Sequence, residues 1–316
     1  MKKILILLSV TLGVVSCQNQ TNNSKEQPKT DTISVAQKQI NDSIQKSDSI
    51  ALIKIQGSKF VEINGKKQFV IVKGQGSPAI IFVNGKGADH SSYDSVQKNL
   101  SKVTLTFAYD RGGLGLSESI NKERSIDNMV SELNQILEKE SIKPPYILVG
   151  HSMGGYIIRY FVNKYPEKVA AMLFLDPAHE DCIKLWRASR TEAKKIQLDS
   201  FITVLKNNPN RTAGANAESK HFWTTDEDLV RDKPIPNNIP VTLISSSKPD
   251  SDPNAIIFTK SDQEIWVNLH KSWKKEAPQM KHIITDKSGH QIQEELPDLV
   301  TKEIIELIKQ IDSKKK

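Results

Sequence analysis

Residues Gly150-His151-Ser152-Met153-Gly154 place a serine between small neighbours, after the apolar run Tyr146-Ile147-Leu148-Val149 and before a helix-like run from Tyr156 to Tyr165. This pattern is a strand, a tight turn carrying a hydroxyl, and a helix. A serine hydroxyl is a weak nucleophile, so it needs exposure, a base to take its proton, and backbone N–H groups to hold the developing oxyanion. A strand-to-helix elbow supplies the exposure and the amides, because the turn lifts the side chain at the sheet edge and the helix N-terminus aims its N–H groups at the reacting carbonyl. Small residues two before and two after the serine avoid a collision across the turn, and Gly155 relaxes that crowding further. The plain alternative for so short a motif is a serine N-cap after a glycine turn.

The base must come from elsewhere in the chain. Elbow serines of this kind are followed by an acid and then a histidine. Of the seven histidines, His290 meets that order. It follows the strand-like His282-Ile283-Ile284-Thr285 and a Ser288-Gly289 turn, and precedes a helical stretch opening Gln291-Ile292-Gln293-Glu294. A loop histidine at one strand's end can reach a serine at another's.

Five segments occur in order: Phe82-Val83-Asn84-Gly85-Lys86-Gly87, Tyr109-Asp110-Arg111-Gly112-Gly113-Leu114-Gly115-Leu116-Ser117, the elbow, Leu173-Phe174-Leu175-Asp176-Pro177-Ala178-His179, and Gly289-His290-Gln291-Ile292-Gln293. On these motifs the chain from about Phe60 onward resembles the α/β-hydrolase superfamily, in particular its small bacterial esterase and peptidase-like branch. It departs from the family where Asn84-Gly85 replaces the frequent His-Gly. The resemblance implies an α/β-hydrolase fold, with a mostly parallel eight-stranded sheet flanked by helices and a helical cap insertion. It also implies a serine hydrolase of the carboxylesterase kind, with a Ser-His-Asp triad and no cofactor.

Gly85 and Gly87 let the main chain approach a substrate, so the Lys86 N–H, with that of Met153, could form the oxyanion hole; a plain turn after a buried strand has the same composition. The Asp110–Ser117 glycines do not fit dinucleotide spacing and no Lys-Ser or Lys-Thr pair follows, so a structural role for Asp110 is expected. For the acid there are three candidates. Asp176 directly ends the run Ala171-Met172-Leu173-Phe174-Leu175, and the branch resembled carries its aspartate there. Asp250 follows Val241-Thr242-Leu243-Ile244, near where most of the superfamily places its acid, and Asp252 comes third. Aspartate before proline or serine also caps ordinary turns.

Met1-Lys2-Lys3, the apolar run from Ile4 and the ending Val14-Val15-Ser16-Cys17 resemble a bacterial lipoprotein signal peptide over residues 1–16, with Cys17 as the lipidated residue. The apolar stretch is short for a spanning helix. Ordinary secretion and an uncleaved anchor are the alternatives. Lipidation of Cys17 leaves Cys182 as the sole thiol, which excludes an intrachain disulfide and favours a small core residue over a catalyst. Residues 17–57 are rich in Gln, Asn, Ser, Thr, Lys and Asp and read as a flexible tether, although isoleucines at 33, 40, 44 and 50 are loosely helical in spacing.

Residues 58–316 suit one α/β domain. Strands are expected at Phe60–Ile63, Phe69–Val72, Ala79–Val83, Val103–Tyr109, Tyr146–Val149, Ala171–Leu175, Val241–Ser245 and His282–Thr285. Helices are expected at Ser125–Glu140, Tyr156–Tyr165, Asp262–Lys275 and Leu299–Ile311. Their alternation calls for a parallel sheet covered on both faces, and Asn64-Gly65 for an antiparallel hairpin. About 178–238 breaks the rhythm and carries Trp186, Phe201, Phe222 and Trp223, as a helical cap would.

The formal charge is +7 from 44 basic and 37 acidic residues. The excess is spread without an aromatic-interleaved stripe, so nucleic-acid binding is disfavoured. His179, Glu180 and Asp181 are adjacent and point in different directions, so no metal set is expected. The expected protein is therefore an envelope-anchored hydrolase of a small ester or related acyl substrate, held to the membrane by its N-terminal lipid. An aminopeptidase or cofactor-free haloperoxidase on the same framework is one alternative; an aminopeptidase would use Glu180, Glu192, Glu218 or Asp226 to hold the substrate amine. A non-catalytic ligand-binding surface lipoprotein is the other.

Overall fold

The computed structural model describes residues 55–120 and 122–313. The signal-like segment, Cys17, the spaced isoleucines and nearly all of the tether lie outside these residues.

Eight strands form one sheet in the order β1-β2-β4-β3-β5-β6-β7-β8. They are β1 (Ser58–Ile63), β2 (Lys66–Lys73), β3 (Ala79–Val83), β4 (Thr106–Tyr109), β5 (Tyr146–His151), β6 (Val169–Leu175), β7 (Val241–Ser246) and β8 (Lys281–Thr285). β2 runs antiparallel to β1 and β4, and every other pairing is parallel. The β1–β2 turn is made by Asn64 and Gly65 at φ 52° and 71°, the left-handed pair that a two-residue hairpin with native twist requires. β3 and β5 are buried along their whole length, as continuous apolar strands covered on both faces must be.

Alternation along these strands divides the core into two layers. Ile81, Val83, Leu148, Met172 and Phe174 pack with α2 (Ile126–Lys139) and α3 (Met153–Lys164) on one face. Ile80, Phe82, Val149, Leu173 and Leu175 pack with α1 (Asp94–Leu100) and α10 (Pro297–Ser313) on the other. Each buried side chain of this size contributes roughly 1.5–3 kcal/mol, so the strand ends that carry the site rest on a core filled from both sides.

The insertion between β6 and β7 is helical, as expected. It holds α4 (Cys182–Ala188), α5 (Glu192–Lys206), α6 (Ala213–Phe222) and α7 (Asp226–Arg231). After β7 come α8 (Lys260–Ser272), opened by a Thr259–Asp262 capping box, and after β8 the short α9 (Ile292–Glu295). One expectation needs correction. The strand expected from Val103 begins only at Thr106, because the Val103 and Thr104 amides both donate to Leu100 O and close the end of α1, leaving Val103 exposed. α1 itself was not anticipated. Among the described residues no helix is long and apolar enough to cross a membrane.

Candidate active site

β5 delivers Ser152 to the edge of the sheet. Ser152 has φ 52° and ψ −121°, a conformation unfavourable for a side-chain-bearing residue and therefore held by its surroundings. Its N–H donates to Leu175 O at 3.1 Å and its carbonyl accepts from Ala178 N at 2.9 Å, which ties the elbow to the end of β6. The flanking glycines are needed for a broader reason than crowding across the turn. A Cβ on Gly154 would stand 2.2 Å from Val83 O at the end of β3, and one on Gly155 would stand 2.5 Å from the Pro177 ring. Gly155 thus lets α3 close on the loop after β6.

Asp176 follows β6 and is fully buried. Its Oδ2 lies 2.6 Å from His290 Nδ1, while Oδ1 accepts from Ser246 N at 2.9 Å and Trp266 Nε1 at 2.8 Å. Burial by itself would push this carboxyl up, but the hydrogen bond and charge of His290, aided by His270 and the Ser246 amide, hold it below the usual carboxylate range. An ionised Asp176 accepts, so Nδ1 of His290 carries the proton and Nε2 is left with its lone pair.

The loop bearing His290 is fixed from several sides. Ser246 Oγ donates to Ser288 O at 2.7 Å, and Gly289 N donates to Glu295 Oε2 at 3.0 Å. His151, the residue before Ser152, sits 2.8 Å through Nε2 from His290 O. Burial, with the charge of His290, depresses His151 to about 3, so its imidazole is neutral and the Nε2 proton is donated to that carbonyl.

The segment Asn84–Gly87 is shaped from behind. Buried Arg111 donates through Nη1 to Asn84 O at 2.8 Å and through Nη2 to Gly85 O at 2.7 Å. The same guanidinium binds Glu218 of α6, with Nε 2.6 Å from Oε1, and Glu218 Oε2 accepts from Gly87 N at 2.8 Å. Carbonyls turned toward Arg111 leave the Lys86 amide out of that network. Asp110 has the expected structural role: Oδ1 accepts from His90 N at 2.7 Å and Oδ2 from Leu116 N at 2.9 Å.

Ser152, His290, His151, Gly85 and Lys86 line one cavity of about 190 Å³ with Trp186, Phe222, Trp223, Phe258 and Trp266. Three of the four cap aromatics therefore face it; Phe201 does not. Cys182 is in its wall, where burial pushes the thiol up to about 12, consistent with an inert packing residue. None of the four carboxylates considered for an amine site lines the cavity. Glu180 pairs with Arg159, Glu218 with Arg111 and Glu192 with Lys195, and Asp226 accepts from Ile126 N. Asp250 is exposed in the loop after β7, with Oδ1 accepting from Asp252 N.

Among the described residues Asp89, His90 and Asp110 form one group compact enough for a metal ion. His90 Nδ1 is already 2.9 Å from Asp110 Oδ1, and the other Asp110 oxygen serves the Leu116 amide, so the donors are engaged with one another. Trp266 was not singled out by sequence, although Trp266, His270 and Trp273 share one helical face at i, i+4 and i+7, and that spacing was available as a signal.

A family model described as alpha/beta hydrolase fold matches residues 78–213, spanning the segment after the hairpin, the elbow, Asp176 and half of the cap. This chain has the α/β-hydrolase fold. The α/β-hydrolase scaffold aligns with an epoxide hydrolase from Bacillus megaterium at TM-score 0.60 and 17% identity, covering 79% of this chain and 100% of that one. It aligns with a thermophilic esterase from Thermogutta terrifontis at TM-score 0.54 and 16% identity, covering 80% and 98%. At such identities the likeness is one of fold. Among curated proteins, the uncharacterised YbdG of Bacillus subtilis is 29% identical over 185 residues, and the alignment spans 57% of either chain.

Proposed function

We propose that this α/β-hydrolase is an envelope-anchored serine hydrolase that cleaves an ester or related acyl bond through Ser152, His290 and Asp176. The Ser152 hydroxyl attacks the acyl carbon while His290 Nε2 takes its proton. The Lys86 and Met153 amides hold the tetrahedral oxyanion. Collapse expels the alcohol, which leaves with the proton returned by His290, and water then repeats the sequence on the acyl-serine to release the acid. Asp176 stabilises the imidazolium formed in each half.

The observation carrying this reading is the 2.6 Å contact of buried Asp176 with His290, in a cavity that His290 shares with a serine at a strained elbow. Epoxide opening fits less well: a serine attacking an epoxide carbon would leave an alkyl ether with no carbonyl for water to attack, whereas an acyl-serine is hydrolysable. Cleavage at a peptide amine end lacks, among the described residues, a cavity carboxylate to hold the ammonium. Ser152→Ala should abolish p-nitrophenyl ester turnover and fluorophosphonate labelling with the melting temperature kept; a variant that still turns over ester ends the reading. Anchoring through Cys17 is tested separately, by incorporation of an alkyne fatty acid that Cys17→Ala should eliminate.

A further inference from the structure

The cavity has an apolar, aromatic wall interrupted by one cation. Lys86 Nζ lies 5.4 Å from the Trp223 ring centre and 5.9 Å from that of Phe222, and its oxygen partner is Ser219 Oγ at 3.3 Å. Arg211 Nη1 reaches the same Ser219 oxygen at 3.1 Å. That hydroxyl gives its proton to Ala215 O at 2.9 Å, so two cations share the lone pairs of one neutral oxygen.

The nearby carboxylate does not balance them. Both oxygens of Glu218 are taken by Arg111, and Oε2 by the Gly87 amide as well. Among the described residues neither Lys86 nor Arg211 has a carboxylate within ion-pair distance, so three cations stand around one acid. Arg211 stands behind the loop and outside the cavity lining: a Cβ on Gly87 would lie 2.5 Å from its Nη2, and its Nη1 also donates to Leu205 O at 3.3 Å.

Resting on the function proposed above, we infer that Lys86, with the charge of Arg211 behind it, recognises a carboxylate borne by the substrate, so that the ester hydrolysed is an anionic one with an apolar or aromatic body. Burial and the charge of Arg211 lower Lys86 to about 8, with Glu218 offsetting part of the effect. An anion seated against the Lys86 ammonium offsets that penalty and fills a role no described side chain fills. Lys86 then serves twice, its amide at the oxyanion and its ammonium, at the far end of its side chain, on the remote charge.

Wild-type protein tests this with matched pairs. On the acyl side, the mono-p-nitrophenyl ester of pimelic acid is compared with its methyl-capped counterpart. On the alcohol side, the hexanoyl ester of 4-hydroxybenzoate is compared with that of methyl 4-hydroxybenzoate. At about pH 7 one carboxylate member should lead its neutral partner in kcat/KM by about tenfold or more, mainly through KM, as a charge-assisted contact does. The ratio should fall toward unity as pH rises through about 8 and Lys86 loses its proton. Lys86→Met should collapse the ratio, and Arg211→Met, outside the oxyanion segment, should reduce it even if the first variant does not fold. Equal kcat/KM within both pairs, or faster cleavage of both neutral partners, overturns the inference while leaving the serine hydrolase intact. Failure to hydrolyse any ester, together with an unlabelled Ser152, removes the hydrolase reading and the inference with it.

Discussion

Asp176, where β6 meets the site, and Asp226, at the first position of cap helix α7, are both fully buried carboxylates, and their surroundings push them in opposite directions. Asp176 has three donors on its two oxygens and remains ionised below the usual range. Asp226 receives one amide, Ile126 N at 3.2 Å, on Oδ1, and among the described residues its Oδ2 has no hydrogen-bond partner. Burial, with the charges of Glu218 and Glu123, drives it up to about 7. The sheet edge thus holds a charge with donors fixed by β7, α8 and the His290 loop, whereas the cap meets α2 through a half-satisfied acid. Desolvation is common to both, and the donor count together with the sign of the neighbouring charges decides which carboxylate keeps its charge.

The largest expected effect tests the sheet-edge side of that contrast. Asp176→Asn removes the acceptor for His290 Nδ1–H and should lower kcat by about 10³–10⁴-fold, with the fold retained on circular dichroism. Asp250→Asn should leave turnover within about threefold, as expected of an exposed loop side chain away from the imidazole. Similar losses in the two variants would contradict the assignment of Asp176.

Next comes the joint between the oxyanion segment and the cap. Arg111→Met leaves Glu218 buried without its partner and frees the Asn84 and Gly85 carbonyls, so urea unfolding should register a loss of about 3–5 kcal/mol. Arg111→Met with Glu218→Gln should recover part of it, because the second change removes the stranded charge. If the double variant is no more stable than the single, the pair is not what orders the segment.

The sheet was legible because its central strands are continuous apolar runs and its hairpin turn demanded Asn-Gly, features written within a few residues of one another. Ser152 and His290 were legible for the same reason, each lying in a short motif at a strand's end. Choosing between the candidate acids was harder: Asp176 and Asp250 both follow apolar strands, and what separates them is contact with Trp266, Ser246 and His290, all at least seventy positions from Asp176. The Arg111–Glu218 pair joins residues 107 apart and has no local signature at all. The Val103 boundary was misplaced because β-branched composition reads as strand, while the amide there is spent on closing a helix.

The smallest effect isolates the cap side. Asp226 is pushed up to about 7 when folded but keeps the ordinary aspartate value of 3.8 when unfolded, so between about pH 4 and pH 7 the native state holds a proton that the unfolded chain has released. Its contribution to stability is therefore complete below about pH 4, declines as pH rises through that window, and stays at its low level above about pH 7. Asp176 has the opposite sign: its folded pKa is depressed, so its contribution is present above its unfolded value and is lost only as pH falls through the folded one. Asp226→Asn keeps an oxygen for the Ile126 amide and cannot ionise. Compared with wild type it should be about equal in stability at pH 4 and more stable at pH 8 by roughly 1–3 kcal/mol, measured as the difference between two denaturation series so that other titrating groups cancel. Parallel pH profiles for the two proteins would show that Asp226 stays ionised in the folded cap, and the contrast with Asp176 would be lost.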